Sequence, residues 1–346
     1  MSPHALCASD KFRGTATVPQ IGAGLARAAA GAGWTSRTFP VSDGGEGFLE
    51  AMGGRPVPAR VTGPLGEPVE ATWHLSVDGR TAVVEVAQAA GLLLAGGASG
   101  NDPVAATTRG VGEQVLDAVR HGARRVVVGC GGSATTDGGS GMVRAVLDAG
   151  GLPPGTELVA ATDVSTPYLR AAAVFAPQKG ADPATVDLLT SRLRQTAQLY
   201  LSVFGVDVRT VPGAGAAGGL AGGIVALGGR VEAGFDVVAR TNGFDAAAAG
   251  ADVVVTGEGR LDATSLAGKV VGQVLDRVDP GTPVHVVVGS ADPATRRQLL
   301  RRERAVELTV LADRYGLEAA MTRTLDLLQQ VFSDRFSPQR VDSLPG

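Results

Sequence analysis

Over the first fifty residues, short apolar runs alternate with Ala-rich stretches of helical spacing, the pattern of successive βα units. Residues 5–8 predict a strand, SDKFRGT a loop, and residues 18–30 (VPQIGAGLARAAA) a helix. Residues 35–41 predict a second strand that runs into the loop SDGGEG. Polar residues gathered just past the C-terminal end of a strand lie where open α/β sheets bind ligands.

From residue 55 to about 100 the texture changes. Turns at Gly63-Pro64 and Asp78-Gly79 separate β-rich segments, which predicts an antiparallel meander. From Thr107 the alternation returns: VGEQVLDAVRHG as an amphipathic helix, RRVVVG as a buried strand, GGSATTDGGSG as the loop after it. Residues 184–204 predict a long helix. Beyond residue 245 come the strands ADVVVTG and PVHVVVG, and then a closing strand and helix from VELTVLADRYG to DLLQQV. No repeat of solenoid length is present. The expected division is a parallel-sheet domain built from residues 1–54 and 246–346, with residues 55–245 inserted as a second α/β domain.

A chain of 346 residues suits two domains at about 150 residues each. Hydrophobic residues make up 44%, enough for buried cores, and a net charge of −3 argues against nucleic acid or an anionic membrane as partner. The unusual figure is 50 glycines, without the period of collagen, which points to many loops where backbone approaches something closely. Cys7 and Cys130 have no metal-ligand spacing and fit reduced thiols in a cytoplasmic protein. The N-terminal residues lack the basic and apolar regions of a secretory signal. Residues 210–229 are uncharged, but Pro212 and the crowded glycines favour a loop entering a buried helix over a membrane span. The five arginines between Arg296 and Arg304 lack aromatic interleaving and read as a solvated helix face.

Candidate chemistry sits in loops that combine glycine, acid and small hydroxyls after an apolar run: SDKFRG (9–14), SDGGEG (42–47), GGSATTDGG (131–139) and TGEGRLD (256–262). Glycines let backbone N–H groups converge on phosphate oxygens, carboxylates hold Mg²⁺ or orient a hydroxyl, and cations stabilise a transferring phosphoryl group. Each loop alone is also compatible with a tight turn and a helix N-cap. Other chemistries match less well. Around Gly268-Lys269 a Walker A motif would need glycine at Ala263 and a hydroxyl at Val270. Gly213, Gly215 and Gly218 satisfy G-x-G-x-x-G, which keeps an NAD-dependent oxidoreductase as a remote alternative. The four histidines form no zinc pattern, and around Ser133 the last glycine of the nucleophile elbow is missing, with Thr135 in its place.

Taken together, these loops resemble the glycerate kinase family that lacks a P-loop, the type similar to bacterial glycerate 2-kinases. ASDKFRG looks like its N-terminal signature. VSDGGEG, VGCGGSATTDGGSGM, ATDVSTP, FAPQKGA, GAGAAGGL and VVTGEGRLDATSLAGK look like the others, in order, from about residue 8 to 290. Ser9, Lys11 and Arg13 depart from the family's usual Pro, Ser and Lys, and Arg for Lys changes a point charge into a planar fork. The resemblance implies a Rossmann-like parallel-sheet domain with a second α/β domain inserted, and an active site in the cleft between them. It implies ATP-dependent phosphorylation of D-glycerate at the 2-hydroxyl, with Mg²⁺. Another small hydroxy acid or sugar acid as acceptor, and a non-catalytic ligand-binding protein, are the alternatives. Partners are then small molecules, with neither nucleic acid nor membrane, and a homo-oligomer is compatible.

On that reading Asp43 and Asp10 are the candidates to orient or deprotonate the hydroxyl. Arg13, Lys179, Arg260 and Lys269 would face the glycerate carboxylate and the phosphates. Gly131, Gly132, Ser133 and Thr135 would give donors to phosphate, with Gly14, Gly44, Gly45 and Glu46 lining the substrate. Glu258 and Asp262, with Asp163 and Asp137 in reserve, are the candidates for Mg²⁺. Structural alternatives stand beside these roles: Asp43 as a turn cap, Asp137 as an N-cap, Lys179 as a solvated loop residue, and Arg260 paired with Asp262.

Overall fold

The computed structural model describes residues 2–12, 14–302 and 304–336. The chain divides into two units, one running to Val41 and resuming at Val238, the other Ser42–Val237. The second is thus inserted in the first.

The first unit is built on a five-stranded sheet in the order β11-β10-β9-β1-β2, from β1 (His4–Cys7), β2 (Thr35–Thr38), β9 (Val253–Leu261), β10 (Val284–Ala291) and β11 (Val306–Val310). All its pairings are parallel. β9 and β10 carry near-continuous valine runs because their central positions are buried, whereas β2 (TSRT) is an edge and largely polar. The helix Val18–Gly31 starts at a capping box in which the Thr17 hydroxyl accepts from the Gln20 N–H and the Gln20 side chain accepts from Thr17. Its Ile21, Leu25 and Ala28 share a core with Leu328, Val331 and Phe332 of the closing helix Thr324–Phe336.

The inserted unit holds a six-stranded sheet in sequential order: β3 (Arg55–Thr62), β4 (Pro68–Leu75), β5 (Thr81–Glu85), β6 (Arg125–Gly129), β7 (Glu157–Ala161) and β8 (Arg230–Glu232). The first three strands pair antiparallel, the expected meander, and the rest are parallel. Asp182 caps the helix Pro183–Phe204, whose Leu189, Leu193 and Tyr200 join Trp73, Tyr168, Leu220 and Ile224 in the core.

The division falls earlier at both ends than the expected 54/55 and 245/246. Phe48 lies so close to Gly129 that a Cβ there would meet its ring at 2.7 Å, and the Leu49 N–H donates to Glu85 at 3.1 Å. The loop after Val41 and the helix Phe48–Met52 therefore pack with the second sheet. Phe244 meets Phe39 edge-on at 5.0 Å, which ties the chain beyond Val238 to the first unit.

The glycine run does enter a buried helix, Ala216–Ala226, after a left-handed stretch at Ala217, Gly218 and Gly219. No helix among the described residues is long and apolar enough to cross a membrane. A dinucleotide reading of that run fails on sterics. Cβ atoms at Gly213, Gly215 and Gly218 would lie within 3 Å of carbonyl oxygens of Val164, Pro167 and Thr135, which leaves no room for a pyrophosphate. The arginine-rich segment is surface in character: Arg296 pairs with Asp313 and Arg302 with Asp276, while Arg304 donates to carbonyls.

Candidate active site

In the first unit the site residues gather where β1 and β9 end. Past Cys7 the chain stays in register with β9: Ala8 N–H donates to Val255 O at 2.8 Å and Asp10 N–H to Gly257 O at 2.9 Å. Ser9, which replaces the family's proline, sends its hydroxyl to Gly257 O at 3.1 Å, and Thr256 sends its own to Ala8 O at 2.8 Å. Gly257 has no room for a side chain, since a Cβ would stand 1.9 Å from Val287 O. Asp10 is thereby fixed beside Glu258, and Lys11 N–H donates to its Oδ1 at 2.7 Å.

Glu258 is buried, with no hydrogen-bond partner at Oε1. Burial pushes its carboxyl up to about 7, aided by the charges of Asp10 and Asp262 and opposed by Ser265 and Lys269. Asp262 goes the other way: the Thr264 hydroxyl, and then the Thr264 and Ser265 amides, hold it below the ordinary carboxylate range. It therefore bonds within its own turn rather than to Arg260, which is exposed on β9. Lys269 is the N-cap of the helix Val270–Arg277 and half-buried, and Gly14 turns at φ 78°. Arg13 lies outside the described residues.

In the inserted unit two glycine loops press backbone against backbone. Gly131 N–H donates to Gly44 O at 3.1 Å, and a Cβ on Gly131 would come 2.3 Å from Gly45 Cα. Gly44 turns at φ 94° against Ala161 O. Asp43 Oδ1 accepts from Gly45 N–H at 3.0 Å, and Gly234 packs on the Asp43 carbonyl, so this half-buried carboxylate rests on a rigid backbone. Glu46 is exposed on the same loop, and Asp163 is half-buried just past β7.

Several expected roles change here. Asp137 has both oxygens committed: Oδ1 to Gly139 N–H at 3.0 Å, Oδ2 to Thr108 N–H at 2.9 Å, Thr108 Oγ1 at 2.8 Å and Gly141 N–H at 3.1 Å. It is the structural clasp of its loop. Thr135 is fully buried and donates its hydroxyl to Ala217 O at 3.4 Å. Lys179 is 3% exposed, not solvated, and donates to Ser133 Oγ at 2.9 Å and Thr135 O at 2.7 Å. Asn101, which nothing in its NDP setting singled out, donates to Ala134 O and Lys179 O. Among the described residues no group of three or more His, Cys, Asp and Glu side chains is placed to hold a metal ion. Of the four carboxylates expected for one, Glu258 and Asp262 belong to the first unit and Asp163 and Asp137 to the inserted one.

Burial draws the Lys179 ammonium down from 10.5 to about 7, with Asp137 opposing. Between those values the unfolded chain holds a proton that the folded one has released, so unfolding free energy rises with pH. Below about 7 both states are protonated and the full cost of burying the charge is present. The protein should gain stability from pH 7 to 9 relative to Lys179→Met, in parallel denaturant titrations. Curves of equal slope for the two proteins would show that Lys179 does not titrate there.

Against known proteins, the chain matches the glycerate kinase family model over residues 5–149 and 150–336. It is 40% identical over 268 residues to the glycerate 2-kinase of Escherichia coli (strain K12), covering 67% of this chain and 70% of that one. It is 38% identical over 290 residues to the glycerate kinase of Bacillus subtilis (strain 168), covering 73% and 76%. A crystal structure from Salmonella typhimurium LT2, of a protein provisionally called glycerate kinase 2, superposes with a TM-score of 0.78 at 29% identity, over 99% of this chain and 100% of that one. The chain therefore belongs to the glycerate kinase family and is an enzyme of it.

Proposed function

We propose that this enzyme transfers the γ-phosphoryl group of ATP to the 2-hydroxyl of D-glycerate, giving 2-phosphoglycerate and ADP. The observation that carries the reading is Asp43, a half-buried carboxylate that accepts from Gly45 N–H on a loop bonded through Gly44 O to Gly131 N–H of the glycine-rich loop. Family membership supports the acceptor, and the name of the Escherichia coli relative supports the 2-position.

Phosphoryl transfer needs in-line placement and charge stabilisation more than covalent help from the protein. The glycerate 2-oxygen bonds to the γ-phosphorus as the bond from that phosphorus to the β,γ-bridging oxygen breaks, and the hydroxyl proton passes to Asp43. In the Gly131–Thr135 stretch, the N–H groups of Gly131 and Ala134 already serve Gly44 and Ala90. Those of Gly132 and Ser133, with the Ser133 hydroxyl, are the donors assigned to phosphate.

The first unit's cluster fits Mg²⁺. Glu258 Oε1 is buried without a partner next to Asp10 and Asp262, and this cation takes one or two carboxylates plus phosphate and water. Glu258, with Asp10 and Asp262 beside it, would hold the cation, which would supply neutralising charge for the phosphates. Lys269 and Arg260 are assigned to phosphate or the glycerate carboxylate. Two buried free thiols support a cytoplasmic setting.

The test is turnover of D-glycerate with ATP and Mg²⁺, the product resolved by NMR. The expected product is 2-phosphoglycerate. A 3-phosphoglycerate product would overturn the regiochemistry, and no turnover of glycerate would overturn the acceptor.

A further inference from the structure

The Ser133–Thr135 segment is held, at the Ser133 hydroxyl and the Ala134 and Thr135 carbonyls, by side chains from two other segments of its unit. Asn101 follows the short helix Gly97–Gly100 and donates its amide to Ala134 O at 3.1 Å and Lys179 O at 2.8 Å. Lys179 ends the 3-10 turn Pro177–Lys179, and its Nζ returns to Ser133 Oγ at 2.9 Å and Thr135 O at 2.7 Å. Every residue from Ser133 to Thr135 is thus gripped, the middle one by Asn101 and the outer two by Lys179. The grip depends on a close approach. Gly180 turns at φ 94°, and a Cβ there would stand 2.3 Å from Ala98 O, so only glycine lets the lysine turn lie against the segment leading to Asn101. Asn101 N–H is itself fixed to Gly97 O at 3.0 Å.

We infer that Asn101 and Lys179 are positioning residues that set the donor geometry of the Gly132–Ser133 backbone for the nucleotide phosphates, acting through the loop and not by touching the nucleotide. The inference rests on the phosphate-binding reading of that loop. Lys179 is 3% exposed with its ammonium on Ser133 Oγ and Thr135 O, and both amide hydrogens of Asn101 are spent on carbonyls. Misdirected N–H donors lose an anion even when each remains present, because hydrogen bonds weaken steeply with angle.

The test compares wild type with Asn101→Ala, Lys179→Met and Lys179→Arg. Asn101 is only half-buried, so its replacement should fold even where Lys179→Met does not. Asn101→Ala should raise the KM for ATP about tenfold, the equivalent of one hydrogen bond, with the KM for D-glycerate within twofold. Amides of residues 131–136 should exchange faster while β5, β6 and β7 stay protected. Lys179→Arg, which keeps donors and charge, should recover part of what Lys179→Met loses. An unchanged KM for ATP in folded Asn101→Ala overturns the inference, as does a rise in both KM values together, the mark of general loosening. If wild type does not turn over glycerate, calorimetric ATP binding decides: weaker binding by Asn101→Ala upholds the clamp although the acceptor is wrong. Equal binding, or no binding by wild type, overturns it.

Discussion

Asp43→Asn is expected to lower kcat by about 10²–10⁴-fold, the range for removing a positioned general base, with the fold and ATP affinity preserved. The substitution separates two roles of one side chain. Asn keeps an oxygen where Asp43 Oδ1 accepts from Gly45 N–H at 3.0 Å, so the turn stays closed. What it replaces is the other oxygen, the one able to take the hydroxyl proton, by an amide that only donates. A residue that merely capped its turn would tolerate this change with little loss. The measurement is single-turnover phosphorylation of D-glycerate beside a thermal melt and an ATP titration. A kcat within a few-fold of wild type would remove Asp43 from the chemistry and shift attention to Asp10, the other carboxylate held by backbone contacts next to a glycine.

Most strands and the outline of the inserted topology were legible because they follow from periodicity, whereas the short strands β7 and β8 were not read from the sequence. Valine runs such as VVVTG and VHVVV can be buried only as central parallel strands, and the loops behind them carried the chemistry. Loop membership told where a residue sits but not where its side chain turns. Asp43 and Asp137 both stand beside paired glycines, yet Asp43 uses one oxygen on its turn and Asp137 uses two. Lys179 is flanked by Gln and Gly like a surface lysine, and its burial comes from contacts with residues more than forty positions away. Asn101 left no mark because it bonds carbonyl oxygens, which every residue has. The early division at Val41 was hidden for a similar reason, since Phe48 finds its place only against Gly129.

The second large effect lies away from the charged residues. Gly218→Ala should destabilise the inserted unit by several kcal/mol and raise the KM for ATP as well. Gly218 sits at φ 68°, and a Cβ there would stand 1.9 Å from Thr135 O and 2.7 Å from Thr136 Cα, both backbone atoms with no rotamer to yield. The left-handed conformation alone costs an L-residue roughly 1–2 kcal/mol, and overpacking adds about 1–3 kcal/mol. At about 2–4 °C per kcal/mol for a unit of this size, the melt should fall by roughly 4–20 °C. Gly228→Ala is the control, because its φ is 85° but its Cβ would meet nothing within 4 Å, so it should show the conformational cost only. The kinetic half of the prediction follows from what Gly218 touches. Thr135 O is the acceptor of the Lys179 ammonium, so a methyl that displaces it loosens the grip on Ser133, whereas Gly228→Ala leaves that bond alone. Equal melts for the two variants would mean that the loop yields without cost. A lower melt with an unchanged KM for ATP would mean that the glycine run supports the fold while the phosphate loop keeps its shape without it.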